Sequence, residues 1–479
     1  MNLVPRIVLA AVCTALWVAM WRYCMIMFQQ NSYKPRRYLR WARGRILRPL
    51  WQKDFKVKFV FTGRMKRLTA AGAVIYAALA CLSPWAAVGC VVLCDALLLL
   101  ANLLVFPLEA AIRGWYVRSA SKMLRARPDL IIIGITGSFG KTSTKNYLYR
   151  MLSEKYNVLV TPGNFNTTLG VVRTVRESLK PYHQVFIVEM GAKQPGDIKE
   201  ICDLVHPGAG IVTAVGDMHL ETFGSRENIR KTKFELIRAL PEDGFGVINA
   251  DSEGIATYPD IPTHCPVESY GIDAHRCDWR CADILSSSSG TSFTLIGRED
   301  SIELRTGLLG ECNVLDIAGA AVMALHFGVS PSQVRQAVSK LQQVPHRLNS
   351  SFKGGITVLD DAYNSNPEGA RMALKVLRDI PLGEGGRRIC ITPGFVEMGA
   401  SQEAAAREFG RQAARCATHL IVVNRLNREA ICAGALEGGM EPERVLCGDS
   451  LQEAVSLMRS LVREGDVVLY ENDLPDMFK

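Results

Sequence analysis

The sequence predicts an α/β protein carried behind apolar helices, and three observations support that expectation. Long apolar runs crowd the first part of the chain. From Pro128 onward, short β-rich runs alternate with helical stretches, the pattern of parallel sheets covered by helices. Residues 131–144, IIIGITGSFGKTST, join one such run to a glycine-rich turn and a helix start. At 479 residues the chain is long enough for two to four domains with ample core.

The apolar part comes first. Residues 7–20 are apolar, Trp17 and Trp21 lie near the far end, Arg22 interrupts and CMIMF continues. No small-residue cleavage site follows, and only Arg6 precedes the run, so an anchor over about 7–28 is expected rather than a removed leader. A second run covers about 68–83 and a third about 86–107, with Pro84 and Trp85 between them. Spanning a bilayer takes ~20 apolar residues; the third run has the length and the second is marginal. The two read as a helical hairpin.

The net charge of +9 hides an asymmetry. Residues 31–67 hold thirteen Lys or Arg against one acid, Asp54, and residues 112–127 add five basic residues and no acid. The chain after residue 127 is acidic. A basic stripe between apolar runs fits the positive-inside rule better than a nucleic-acid surface, so the expected partner is the lipid bilayer and not nucleic acid. The 31–67 loop and the chain after Arg113 are expected on the cytoplasmic side of a multi-pass protein. Asp95, inside the third run, is a functional flag by default, with a helix–helix contact as the plainer reading.

The 131–144 segment carries the chemistry. Three β-branched residues predict a buried strand, and a strand feeding a tight turn and a helix N-terminus gathers free N–H groups and the helix dipole on one point. Lys141 would add a point charge for outer phosphates and the Thr142 hydroxyl would sit on Mg²⁺. The strict spacing G-x-x-x-x-G-K-[ST] wants glycine at 135, where this chain has Ile135.

Further runs follow: NVLVTP, VFIVEMGA, GIVTAV, FGVINAD, ICITPG, THLIVVN and DVVLYEN. Residues 262–309 differ, with TSFTLIG and SIELRTG around a Ser286–Gly290 turn, and read as an antiparallel insertion. A helical segment then leads to a new run of strands from GGITVLDDAY, which places a boundary near residues 344–350. The expected units are a membrane region 1–127, a central nucleotide-binding domain 128–345 and a C-terminal domain 346–479. The fourteen cysteines are scattered. Cys265, Cys277 and Cys281 near His264 and His275 contain no C-x-x-C pair, so zinc is a weak alternative to buried, reduced thiols.

The motifs together resemble those of the Mur ligases, ATP-dependent amide-forming enzymes of bacterial cell-wall synthesis. They are TGSFGKTSTK at 136–145, GNFNTTLG at 163–170, VEMGAKQPGDI at 188–198, HLETFGS at 219–225, KTKFELI at 231–237, INAD at 248–251, HRL at 346–348 and DDAYNSNP at 360–367. The resemblance implies a central P-loop-type ATPase domain and a C-terminal Rossmann-like α/β domain. It implies ATP, and probing by position gives the phosphates Gly137, Ser138, Gly140, Lys141, Thr142 and Ser143. Thr142 and Glu189 would hold one Mg²⁺, and His219 a second that also meets the substrate acyl phosphate. Lys233 falls where the family carries a carbamylated lysine, with Lys231 as a neighbouring alternative. Asn249 matches a position near adenine, Arg347 one that reaches the γ-phosphate, and Asp361 and Tyr363 ones that close on ribose and adenine. Asn164 and Asn166 fall near the transferred phosphoryl group or substrate.

The expected reaction follows from charge. Activating a carboxylate brings it onto a γ-phosphate, negative onto negative, so the site must supply cations and dipoles before an amine can attack the acyl phosphate. The implied partners are a cell-wall precursor, either UDP-linked or lipid-linked, an amino acid or dipeptide, and other cell-wall membrane proteins. Retention of the whole metal set argues against a scaffold, and DDAYNSNP argues against a polyglutamate-type product. Departures from the family pattern are the membrane segments where relatives open with a soluble UDP-binding domain, Cys312 and Asp316 where relatives have His and Asn, and Glu471 where many have Lys. ITPGFVEMG at 391–399 departs from a usually acidic segment.

Overall fold

The computed structural model describes residues 3–43, 59–258, 263–273, 275, 277–287, 290–298, 300–363 and 365–474. Residues 44–58 of the expected basic loop, residues 288–289 of the expected turn and Asn364 of DDAYNSNP lie outside them. The chain divides into two compact units, residues 1–116 and residues 117–474.

Among the described residues three helices are long and apolar enough to cross a membrane: Arg6–Gln30 and Gly63–Leu82 in the first unit, and Cys94–Arg125, which begins there. Thr62 caps the second, its hydroxyl accepting from the Met65 N–H, so this helix starts ahead of the apolar run and reaches 20 residues. The third run does not form one helix over 86–107. It splits into Pro84–Val92 and Cys94–Arg125, because Leu93 leaves helical geometry with ψ of 29°. Pro107 does not end the second piece, which continues for 18 residues beyond it to Arg125; an apolar helix tolerates the one lost N–H. Gly72 lets the Trp21 ring lie where a Cβ would be, 2.3 Å away, and Trp17 stacks on Tyr76 with centroids 4.6 Å apart. Asp95 accepts from the Tyr38 hydroxyl and, at 3.4 Å, from the Cys24 thiol, which makes it a helix–helix tie.

The second unit holds two sheets. The larger has nine strands: β1 (Ile131–Thr136), β2 (Val158–Val160), β3 (Val185–Met190), β4 (Ala209–Val212), β5 (Phe245–Asn249), β6 (Val267–Gly271), β7 (Trp279–Ser287), β8 (Gly290–Ile296) and β9 (Ser301–Thr306). Their order is β2-β3-β1-β4-β5-β6-β7-β8-β9. Pairing is parallel from β2 through β7 and antiparallel from β7 to β9. The antiparallel strands are therefore an extension of the main sheet, joined through β6, a strand too short and mixed to stand out by periodicity. Buried Ile133, Ile135, Ile187, Ile211 and Val247 form its core with helix Glu311–His326.

The smaller sheet has six strands: β10 (Asn349–Lys353), β11 (Ile356–Asp361), β12 (Arg388–Thr392), β13 (His419–Val423), β14 (Val445–Gly448) and β15 (Val467–Glu471), ordered β10-β11-β15-β12-β13-β14. All neighbours are parallel except β10 and β11. Among the described residues no three His, Cys, Asp or Glu side chains form a ready metal cluster. Cys265 and Cys281 are buried in the two cores of the nine-stranded sheet, and zinc has no site there.

Candidate active site

The site is built where β1, β3 and β4 end. β1 runs into residues 137–140 and helix Lys141–Leu152. Two glycines make the turn possible. Gly140 is left-handed, with φ of 79°, and a Cβ there would lie 2.3 Å from Asp316 Oδ1; at Gly137 a Cβ would lie 2.1 Å from Thr213 Oγ1. The loop is pinned by the Ser138 N–H, which donates to Ala214 O at 2.8 Å, and by the Ser138 hydroxyl, which donates to Gly216 O at 2.9 Å. Lys141 Nζ donates to the carbonyls of Gly137 and Ser138 at 2.7 and 3.2 Å. Burial, reinforced by Arg347, draws this ammonium down to about 8, against the opposing pull of Glu189 and Asp316.

Glu189 ends β3 one strand over. Its carboxylate accepts from Thr142 Oγ1 at 3.1 and 3.2 Å and from Asn166 Nδ2 at 3.1 Å. Lys145 Nζ pairs with it at 3.0 Å and also donates to Thr161 O and Gly163 O at 3.0 and 2.7 Å. Lys145 was not singled out from the sequence. Its signal was position: four residues after Lys141, it shares that helix face. A carboxylate and a hydroxyl side by side supply the oxygen donors that suit Mg²⁺.

Lys233 is buried, with its pKa far below the ordinary value because of desolvation and the nearby Lys141 charge. Lys231 is 59% exposed and pairs with Glu227, which removes it as the alternative. His219 feels the charge of Lys233, and burial holds its imidazole below the ordinary pKa while Glu397 pulls the other way. Glu397 is the second residue that sequence reasoning missed. It comes from the segment after β12, in the ITPGFVEMG stretch, and its carboxylate bonds His219 Nδ1.

A second cleft, of about 720 Å³, lies between the nine-stranded and six-stranded sheets. It is lined by Gly140, Ser143, Asn249, Asp316, Arg347 and Asp361, with Cys312 and Asn366 among their neighbours. Asn249 is held by Thr213 O at 2.9 Å. Asp361 fixes the start of β10 by accepting from the Leu348 N–H at 3.0 Å. Tyr363 is not part of this lining. Its ring lies under the Arg347 guanidinium at 4.3 Å, and its hydroxyl accepts from Asn164 Nδ2 at 2.6 Å. Burial lifts the Asp316 carboxyl to about 8 and the Asp361 carboxyl to about 6. Glu471 lies behind the cleft, fully buried, accepting from Thr392 at 2.7 Å and from Ser365.

Residues 135–324 match the Mur ligase middle domain, and residues 346–470 match the Mur ligase, glutamate ligase domain. The chain belongs to the Mur ligase family. It is thus an ATP-dependent, ADP-forming amide ligase. It is 35% identical over 358 residues to the UDP-N-acetylmuramoyl-tripeptide–D-alanyl-D-alanine ligase of Mycobacterium tuberculosis, an alignment covering 71% of this chain and 70% of that protein. The enzyme of the same name from Bacillus subtilis is 28% identical over 342 residues, covering 71% and 72%. Among solved structures, MurF from Acinetobacter baumannii superposes with a TM-score of 0.67 at 26% identity, covering 75% of this chain and 77% of that one. MurF ligase from Thermotoga maritima, solved in complex with ADP, gives 0.66 at 25% identity, covering 75% and 80%. The α/β architecture read from the strand and helix alternation is that of these Mur ligases.

Proposed function

We propose that this Mur ligase completes the peptide of a muramoyl precursor by joining D-alanyl-D-alanine to its terminal carboxylate, at the inner face of a bacterial cytoplasmic membrane. The observation that carries the reading is the convergence of Lys141, Thr142, Glu189, His219 and Lys233 beyond the ends of the interior strands β1, β3 and β4. ATP supplies the phosphoryl group. The loop N–H groups from Gly137 to Ser143 cradle its phosphates, and Lys141, released from its own loop carbonyls, pairs with the outer ones. Asn249 and Asp361, which line the cleft, would meet the nucleoside, Arg347 would reach inward from the linker, and Tyr363 would act from outside the lining through Arg347 and Asn164.

Thr142 and Glu189 would hold one Mg²⁺, with Lys145 paired to the carboxylate and holding its direction. His219 would hold a second ion. Bound Mg²⁺ supplies positive charge where carboxylate and phosphate meet. Burial lowers the Lys233 pKa well below the ordinary value, which favours the free amine that carbon dioxide needs to form a carbamate, and the carbamate would be an anion beside cations. Asn164 and Asn166 would orient the precursor carboxylate, which takes the γ-phosphoryl group as ADP leaves. The incoming amine then displaces phosphate, and the packed domains keep water from doing so first.

The three apolar helices favour a membrane-held substrate as a second reading: a lipid-linked muropeptide in place of the UDP-linked one. One experiment separates them. Full-length protein in lipid nanodiscs is given ATP, Mg²⁺, D-alanyl-D-alanine and either precursor, and ADP release is followed with product mass. A dipeptide-sized mass gain on either precursor supports ligation and names the substrate. ADP release with neither precursor, under saturating dipeptide, would sink the proposal.

A further inference from the structure

Glu397 has no role in the reaction as derived so far, yet it touches one of its central side chains. The contact joins two domains: His219 lies in the segment after β4, just before helix Leu220–Phe223, and Glu397 lies in the loop after β12. Both side chains are largely buried, at 15% and 10% exposure. Both residues hold left-handed backbone, with φ of 53° and 62°. That conformation costs a non-glycine residue ~1 kcal/mol or more and persists where surrounding structure enforces it, often at functional sites.

The surroundings do enforce it. The Glu221 N–H donates to Glu397 O at 3.0 Å, so the two domains also meet through backbone at this point. The loop holding Glu397 is laced from within. Asn427 Nδ2 donates to Pro393 O and Phe395 O at 2.8 Å each, and Gln402 Oε1 accepts from the Met398 N–H at 3.2 Å. Asn472 Nδ2 holds Gly394 O at 2.6 Å. A carboxylate so fixed bonds Nδ1 of the imidazole and leaves Nε2 as the nitrogen with a lone pair. Carboxylates in this place set the tautomer and rotation of metal-binding histidines elsewhere, and their loss typically costs 10–100-fold in metal affinity.

We infer that Glu397 is a positioning residue that orients His219 for a divalent cation, so that this cation site is complete only when the C-terminal domain is docked. The inference rests on the proposed reading of His219 as a cation ligand. It adds that the ligand is aimed from the neighbouring domain, so domain docking and cation capture are one event.

The test uses Mn²⁺ as probe. Full-length protein in detergent is titrated with Mn²⁺ in the presence of a non-hydrolysable ATP analogue, and free Mn²⁺ is read by electron paramagnetic resonance. Wild type is expected to bind two ions and His219→Ala one. Glu397→Ala is expected to weaken the second ion by about 10–100-fold. Glu397→Gln, whose amide oxygen still accepts from Nδ1–H, is expected to stay within about threefold of wild type on the same reasoning. Unchanged Mn²⁺ affinity in Glu397→Ala, with an ion lost in His219→Ala, overturns the inference and leaves the proposed function standing. So does a Glu397→Gln as weak as Glu397→Ala, since the role would not be hydrogen-bond acceptance. No ion lost in His219→Ala overturns the reading of His219 and the inference with it. If Glu397→Ala has no melting transition, Glu397→Asp replaces it, keeping the charge while withdrawing the carboxylate; undiminished affinity there overturns the inference equally.

Discussion

Lys141 shows how much of the site rests on single side chains. Its ammonium now satisfies the carbonyls of Gly137 and Ser138, and a bound phosphate would compete for the same charge. Lys141→Ala should abolish ligation while leaving the melting temperature and membrane association as in wild type; ADP release and thermal scanning check the two halves. Glu471 makes a pH prediction. Burial lifts its carboxyl from 4.5 to about 7, so the folded chain holds a proton that the unfolded chain gives up across that window. Its contribution is full below pH 4.5 and is lost as pH rises through 7. Glu471→Gln should therefore be more stable than wild type at pH 8, by ~3 kcal/mol from the usual conversion of pKa shifts. Melting curves from pH 5 to 8 should show the gap closing toward acid.

At the scale of elements, the junction of β1 with helix Lys141–Leu152 is the working part. Gly140→Ala puts a methyl into left-handed backbone and against Asp316, so it should cost on the order of 2 kcal/mol and most nucleotide affinity. Calorimetry with ADP reads the second effect, and affinity equal to wild type would show that the loop can shift without loss. Helix Glu311–His326 presents Asp316 to the same cleft, with its carboxyl raised to about 8. As pH rises through 8, Asp316 ionises beside the phosphates and Lys141 loses its proton, and both weaken nucleotide binding. Asp316→Asn should make ADP affinity fall less steeply between pH 7 and 9, with the Lys141 part remaining. These elements were readable from their residues. β1 announced itself through three consecutive isoleucines, and β3 and β5 through VFIVEM and FGVIN. β6 and β14 did not, since five and four residues with mixed burial carry too little periodicity. The break at Leu93 was equally silent, because an apolar run looks the same whether its helix is continuous or stepped.

For the whole molecule, the apolar helices should decide where the enzyme works. Sodium carbonate at high pH strips peripheral proteins, whereas a chain with three apolar spans should stay in the pellet and enter solution only with detergent. Recovery in the carbonate supernatant would contradict membrane integration. The family resemblance pointed to Lys141, Thr142, Glu189, His219 and Lys233 as one group, and the fold brings these residues near one another. Choosing Lys233 over Lys231 took the fold, because burial is a property of the packed helix and two residues on one segment differ only in the face they turn.

The sequence alone determined the strand–glycine–lysine junction, the sheet-and-helix alternation and the apolar helices, because backbone conformation and hydrophobic periodicity are local. The tertiary structure decided which distant residues meet: Glu397 against His219 and Tyr363 against Asn164 across the domains, and Asp316 against Gly140 within the central one. The first two pairs are separated by 178 and 199 residues of chain, and no local pattern encodes such a contact. Only the packing of two cores brings them within hydrogen-bonding reach.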